Sequence, residues 1–360
     1  THASTLRYLE ERAAGGVMEA IDLLEKVYRG LRNWQKYVEL LEGKLSQTAE
    51  SDFRRTIYLQ MAEVYDTELK NGDMAFMAVT RAYTENRADL QLLEKLEALA
   101  EKHALFDSLA EALGGDLDAL PDPKLRQHVL HRLGHICGTQ LGKTQEAINY
   151  LQQALQYDPS DEVALGSLDA LLEKNEMWAA LADILERRIE VAHEPGAKSG
   201  LLERLAGVWG DKLMDAEAAL RCHKQILDID PDHPLTLRSM QKLYVEVQDW
   251  DSLAANLNRQ AEVLKETDEQ IRIHSAAGAL YAEELSDNDA AIKHWAQVVE
   301  LQPAHEEGNQ ALVILLTTEE RWEELATLYR KQLAHTPDPA AKLDINRRLG
   351  VILGDKLGRR

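Results

Sequence analysis

The chain is predicted to be all-α, a solenoid of about 20 antiparallel helices, and three observations predict it. Its 360 residues are 45% hydrophobic, with only 9 Pro and 3 Phe. Leu, Ala and Glu are abundant, a balance that favours helix over strand. The sequence also repeats itself every 72 residues without drift: an aromatic stands at Trp34, Phe106, Trp178, Trp250 and Trp322. Finally, the breaks between apolar segments are short, and no alternating strand pattern lies between them.

Each repeated phrase reads as a helix. Three positions after the aromatic stand Tyr37, Leu109, Leu181, Leu253 and Leu325, and one further on Val38, Ala110, Ala182, Ala254 and Ala326. At plus seven come Leu41, Leu113, Leu185, Leu257 and Tyr329. Offsets of 0, 3, 4 and 7 share one helical face. Following the chain, breaks at "KNGD" (70), "ALPDP" (119), "HEPGAK" (193) and "SDND" (286) separate further segments. Ala75, Ala147, Ala219 and Ala291 repeat within these, and Arg87, Pro159, Pro231 and Pro303 follow twelve residues later. Pro fits a helix's first turn and not its interior. Each 72-residue unit therefore reads as four helices, with boundaries near Trp34, Phe106, Trp178, Trp250 and Trp322 in one array over residues 1–360. The repeated tryptophans are expected in the core.

The segment at 205–231 resembles a tetratricopeptide repeat, with Gly207, Ala219 and Pro231 at its small, small and Pro positions. Residues 276–303 match through Ala279, Ala291, Trp295 and Pro303. Residues 135–159 match through Ala147, Leu151, Ala154 and Pro159, although His135 replaces the small residue. The copy near 63–87 departs further, with Glu63 and Arg87. The other hairpin of each unit departs too, carrying the Trp-x-x-Leu-Ala phrase. The resemblance implies a right-handed superhelix whose first helices line a concave groove. Residues 2–14 align with a second helix lacking its first, and 349–360 with a first lacking its second. The chain is thus expected to be a section of a longer array, with head-to-tail self-association as one possibility.

The net charge is −21, from 62 acidic and 41 basic side chains. Such a surface repels phosphate backbones and anionic lipid, so nucleic acid is not the expected partner. No apolar run approaches the ~20 residues of a membrane span. Cys137 and Cys222 form no disulfide framework or CxxC. The expected compartment is the cytoplasm, or the periplasm if a signal peptide has been removed; the chain starts at Thr1 without an initiator Met.

Catalytic and cofactor motifs do not appear: there is no GxGxxG after a strand, no GxxxxGK[ST], no HExxH and no GxSxG. The chain is read as non-enzymatic and cofactor-free. His128, His131, His135 and Cys137 cluster, and His131 and His135 have the i,i+4 spacing that can share a metal. The competing reading is structural or groove-lining histidines, since no third ligand is identifiable. The resemblance implies groove positions at Arg132, Arg204, Arg238, Lys242 and Gln310, interspersed with Val208, Leu280 and Ile314. Arg204 and Arg238 could clamp a peptide carboxylate. The function expected is a protein- or peptide-binding scaffold, with a structural subunit using its end helices as the alternative.

Overall fold

The computed structural model describes residues 2–115, 117–120 and 122–358. Among these residues it contains 20 α-helices and no strand. The chain divides into two compact units, Thr1–Glu176 and Met177–Arg360. The first holds α1 (His2–Ala14), α2 (Met18–Gly30), α3 (Trp34–Ser46), α4 (Ser51–Thr67), α5 (Gly72–Glu85), α6 (Leu90–His103), α7 (Phe106–Gly114), α8 (Pro123–His135), α9 (Thr144–Tyr157) and α10 (Glu162–Lys174). The second holds α11 (Trp178–Val191), α12 (Pro195–Gly207), α13 (Ala216–Ile229), α14 (Pro234–Glu246), α15 (Trp250–Val263), α16 (Thr267–Glu283), α17 (Asn288–Leu301), α18 (Glu306–Thr318), α19 (Trp322–His335) and α20 (Pro339–Val351). Within each unit helices pack mainly on their chain neighbours, and short connections make those neighbours antiparallel. This is the α-solenoid arrangement, in which one hairpin buries its apolar face against the next.

Several helices start at side-chain caps. Asn71, Asp215 and Asp287 accept the N–H three residues ahead, of Met74, Ala218 and Ala290, at the starts of α5, α13 and α17. Such caps satisfy amides that the helix leaves unbonded, each worth about 1 kcal/mol.

The helices that close on a left-handed residue end in two ways. After α2, α6, α14 and α18 the left-handed residues are Arg32, Ala104, Gln248 and Glu320. The next N–H then returns to a carbonyl five residues back, as in Asn33 to Tyr28 and Asp249 to Tyr244. This is the ordinary Schellman closure. After α4, α8, α12 and α16 the left-handed residues are Lys70, Gly142, Met214 and Ser286. Here the five-residue bond already forms one step earlier, from Leu69 to Val64, Leu141 to Ile136, Leu213 to Val208 and Leu285 to Leu280. A six-residue bond follows, as in Asn71 to Tyr65 and Asp215 to Trp209, both 2.8 Å. The widened end includes π turns at Ile136–Gln140 and Val208–Lys212. One extra residue enters each of these first helices.

That residue corrects the expected register. The small positions are not Gly207, Ala279 and His135. A Cβ added at Gly207 would meet nothing within 4 Å, whereas at Gly134 it would lie 2.6 Å from Leu151 Cγ and at Gly278 2.7 Å from Trp295 Nε1. The close-packed positions are therefore Ala62, Gly134, Ala206 and Gly278, one residue earlier. A one-residue step turns a helix by about 100°. Val208 and Leu280 accordingly lie in the core instead of the groove, while Ile314 is 65% exposed.

The tryptophan expectation also needs correction. Trp295 is buried, but Trp34, Phe106, Trp178, Trp250 and Trp322 are half-buried first residues of α3, α7, α11, α15 and α19. Trp34, Phe106, Trp250 and Trp322 pack from the edge against the buried core. Lys212 Nζ sits 4.8 Å from the Trp178 ring centre and Lys356 Nζ 4.6 Å from that of Trp322. The true core is Leu, Ala and Ile, with Tyr37 and Tyr83 fully enclosed. Long polar side chains bridge within hairpins at one phase of the repeat. Lys44 Nζ reaches Glu25 at 2.8 Å, Gln260 Nε2 donates to the Leu237 carbonyl at 3.1 Å, and Gln332 Nε2 donates to Asn309 Oδ1 at 2.9 Å.

Candidate functional site

The histidine cluster does not converge. Asp161 caps α10, accepting from Val163 N–H at 3.0 Å and Ala164 N–H at 3.1 Å. The same carboxylate takes Gln127 Nε2 and His131 Nε2, each at 2.5 Å. Burial pushes this carboxyl up, but the hydrogen bonds from Ala164, Gln127 and His131 outweigh it and hold it below the usual carboxylate range. His131 is thus a clasp between α8 and α10. His128 is half-buried, and burial and then the Arg132 charge depress its pKa. His135 is exposed, which corrects its expected place on the packed face; the register step is the reason. Among the described residues no three His, Cys, Asp or Glu side chains are grouped to hold a metal ion.

The groove residues separate into different surroundings. Arg132 Nε lies 3.4 Å from Glu97, with 45% of its side chain exposed. Gln310 Nε2 donates to Glu306 at 3.3 Å and lines a cavity of about 660 Å³ between α18, α19 and α20. Arg238 pairs with Glu269. Arg238 and Lys242, one turn apart on α14, share a second cavity of about 490 Å³ with Glu203, Asp211, Thr236 and His223. Arg204 is exposed and is not among the residues lining that cavity.

His223 is the residue that motif-based reading passes over. It lies on α13, is only 9% exposed, and its Nδ1 is buried with no hydrogen-bond partner. Burial, then the nearby His233, depress its pKa, so the ring is neutral near pH 7. An unpaired buried polar nitrogen costs about 1–3 kcal/mol. The 72-residue spacing does carry a signal: the equivalent positions are Val79, Leu151 and Trp295, all apolar and buried. A cavity of about 600 Å³ lies at the same place in the repeat in the first unit, lined by Ala62, Val79, Asp66 and Lys95. Where the facing small residue is glycine, Leu151 or Trp295 packs onto it; where it is Ala62 or Ala206, a cavity is present.

Antiparallel hairpins stacked in this way define a helical-repeat protein, the class whose extended surfaces bind other proteins. Models of the tetratricopeptide repeat match residues 127–161 and residues 310–343. The chain carries tetratricopeptide-like repeats. No curated protein matches its sequence. Among solved structures it is similar to YrrB, described as a TPR protein with an unusual peptide-binding site, at 17% identity and a TM-score of 0.31, covering 56% of this chain and 98% of that one. It is similar also to the C-terminal part of a TPR repeat-containing protein from Cytophaga hutchinsonii, at 14% identity and a TM-score of 0.33, covering 82% and 99%. A third likeness is to Naa15/Naa10 bound to HypK-THB, at 14% identity and a TM-score of 0.37, covering 98% and 66%. Among the described residues no helix is long and apolar enough to cross a membrane.

Proposed function

We propose that the chain is a non-catalytic scaffold that holds a protein or peptide partner along the groove formed by its first helices. The observation that carries this is the set of cavities between successive helices, of about 490, 600 and 660 Å³, each mixing apolar floor with charged rim. Rigid stacking lowers the ordering cost of binding. In this reading Arg132, Arg204, Arg238, Lys242 and Gln310 supply polar contacts, and the 72-residue double hairpin is the repeating unit of one array. Self-association through the end helices is less favoured, because α1 carries Arg7 where α9 carries Leu151. That guanidinium is solvated beside Glu11, with 82% of the side chain exposed, and a paired helix would have to bury it. Affinity capture with the wild type and with an Arg238→Ala/Lys242→Ala/Gln310→Ala variant tests the proposal. Loss of the captured protein from a correctly folded variant supports groove binding, and unchanged capture overturns it. A rise in mass with protein concentration would favour the end-helix reading.

A further inference from the structure

We infer that the cavity between α5 and α7 is a second docking site, outside the groove, for a leucine-sized side chain on a basic helical segment of a protein partner. It goes beyond groove binding. Its described lining comes from the second helices α5 and α7 and the connection before α7, with no residue from a first helix.

Four observations converge. First, the side chain that fills this place elsewhere is missing. At the position of Ala112 the other copies of the repeat carry Leu40, Ile184, Asn256 and Leu328. Ile184, Asn256 and Leu328 are each 6% exposed, and Leu328 packs in one buried cluster with Ile292, the counterpart of Phe76. Ala112 stops at its Cβ, and a cavity of about 570 Å³ is lined there by Phe76, Met77 and Leu105. A space of that order holds several side chains. Second, Met77 is 47% exposed where three other copies place Asn149, Arg221 and Lys293. The template is thus broken twice at one cavity, by a small residue inside and an apolar one at the mouth, and exposed apolar surface of this kind marks a contact. Third, the rim carries Asp73 and Glu111 against Arg81, and neither carboxylate has an ion-pair partner among the described residues. That excess of negative charge favours a basic segment and opposes an acidic one. Fourth, the lining runs along two turns of α5, at Asp73, Phe76, Met77 and Thr80, facing Ser108 and Ala112 of α7. A trough between two helices is the shape that receives a third helix, anchored by its apolar side chains.

The test uses the full chain with ¹³C-labelled methionine methyls, so that Met77 reports where a ligand sits, while anisotropy of a labelled peptide reports affinity. The probe is an end-capped alanine–lysine helix of about 15 residues with one central leucine. Its counterparts replace the leucine by alanine or the lysines by glutamate, and N-acetyl-leucine amide serves as a free side chain. A saturable shift at Met77 is expected with the leucine–lysine peptide. Both counterparts should bind at least about tenfold more weakly, the least that burying a leucine supplies. Ala112→Leu, which copies Leu40 and Leu328, should abolish binding with the thermal midpoint unchanged or raised. Met77→Lys, which copies Lys293, should weaken it at least about tenfold. The Arg238→Ala/Lys242→Ala/Gln310→Ala variant should bind as wild type does, because the two sites are separate. A lowered midpoint in Ala112→Leu would show that no leucine fits there and would overturn the assignment. So would an unmoved Met77 signal, equal binding of the glutamate peptide, or N-acetyl-leucine amide binding as tightly as the peptide. A Met77 signal that shifts with protein concentration alone would replace the partner by a second copy of the chain and overturn it too. Binding lost in the triple variant but kept in Ala112→Leu would place the peptide in the groove instead.

Discussion

Gly278→Ala and Gly207→Ala should have opposite signs, and the pair measures the one-residue register directly. Both glycines are helical, so each alanine gains up to about 1 kcal/mol of helix propensity. At Gly278 the new methyl would sit 2.7 Å from Trp295 Nε1 and 2.8 Å from Cδ1 and Cε2. Trp295 is only 3% exposed, so the ring cannot swing into solvent. Restoring ordinary contact requires a shift approaching 1 Å in a close-packed core, at a cost near the upper end of the 1–3 kcal/mol typical of overpacking. The net loss is about 2 kcal/mol, or roughly 4–8 °C in thermal midpoint for a unit of this size. At Gly207 nothing lies within 4 Å of the added methyl, so only the propensity gain remains. Thermal unfolding followed by circular dichroism reads both. A Gly278→Ala protein as stable as wild type, or a destabilised Gly207→Ala, would refute the packing register. The double change Gly278→Ala/Trp295→Val, which copies Ala62/Val79, should show a favourable coupling of the sort contacting residues give, about 0.5–3 kcal/mol.

Acid should weaken the second unit as pH falls below about 6.5. His274 Nδ1 and His294 Nδ1 share a 2.9 Å hydrogen bond, with Tyr281 stacked on His294. Burial, then the neighbouring His274, holds His294 down to about 4, and burial lowers His274. Folded pKa values below the unfolded ~6.5 mean that this stability is complete above pH 6.5 and lost as pH falls toward 4, at up to about 1.4 kcal/mol per pH unit per group. Urea midpoints between pH 7.5 and 4.5 should fall, and fall less in His294→Phe. Gln260→Ala removes a 2% exposed side chain and its bonds to Leu237 and Asn256, and should cost about 2–3 kcal/mol in urea unfolding. Ala104→Gly relieves a left-handed alanine at φ 58° and should stabilise by up to about 1 kcal/mol, read from the same curves. Cys222, 6% exposed and with its thiol pushed up to about 11 by burial, should resist thiol reagents until the protein is denatured.

The sequence by itself determined the helical class, the helix count and the places where helices stop. These depend on local chemistry: the Trp34-to-Trp322 series sets a period, and Pro159, Pro231 and Pro303 mark breaks. It also held the His223 anomaly in plain view, since a polar residue stands where Val79, Leu151 and Trp295 are apolar. What only the tertiary structure decided is which face each first helix turns inward. The widened closures at Leu141, Leu213 and Leu285 add one residue to a turn through backbone hydrogen bonds, and no side chain encodes that addition visibly. Because one residue rotates a helix by about 100°, that step moved the close-packed position from Gly207 to Ala206, exposed His135 and buried Val208. It likewise took three-dimensional packing to separate Arg204 from Arg238, to put Lys242 and His223 on one cavity, and to leave a single imidazole nitrogen without a partner.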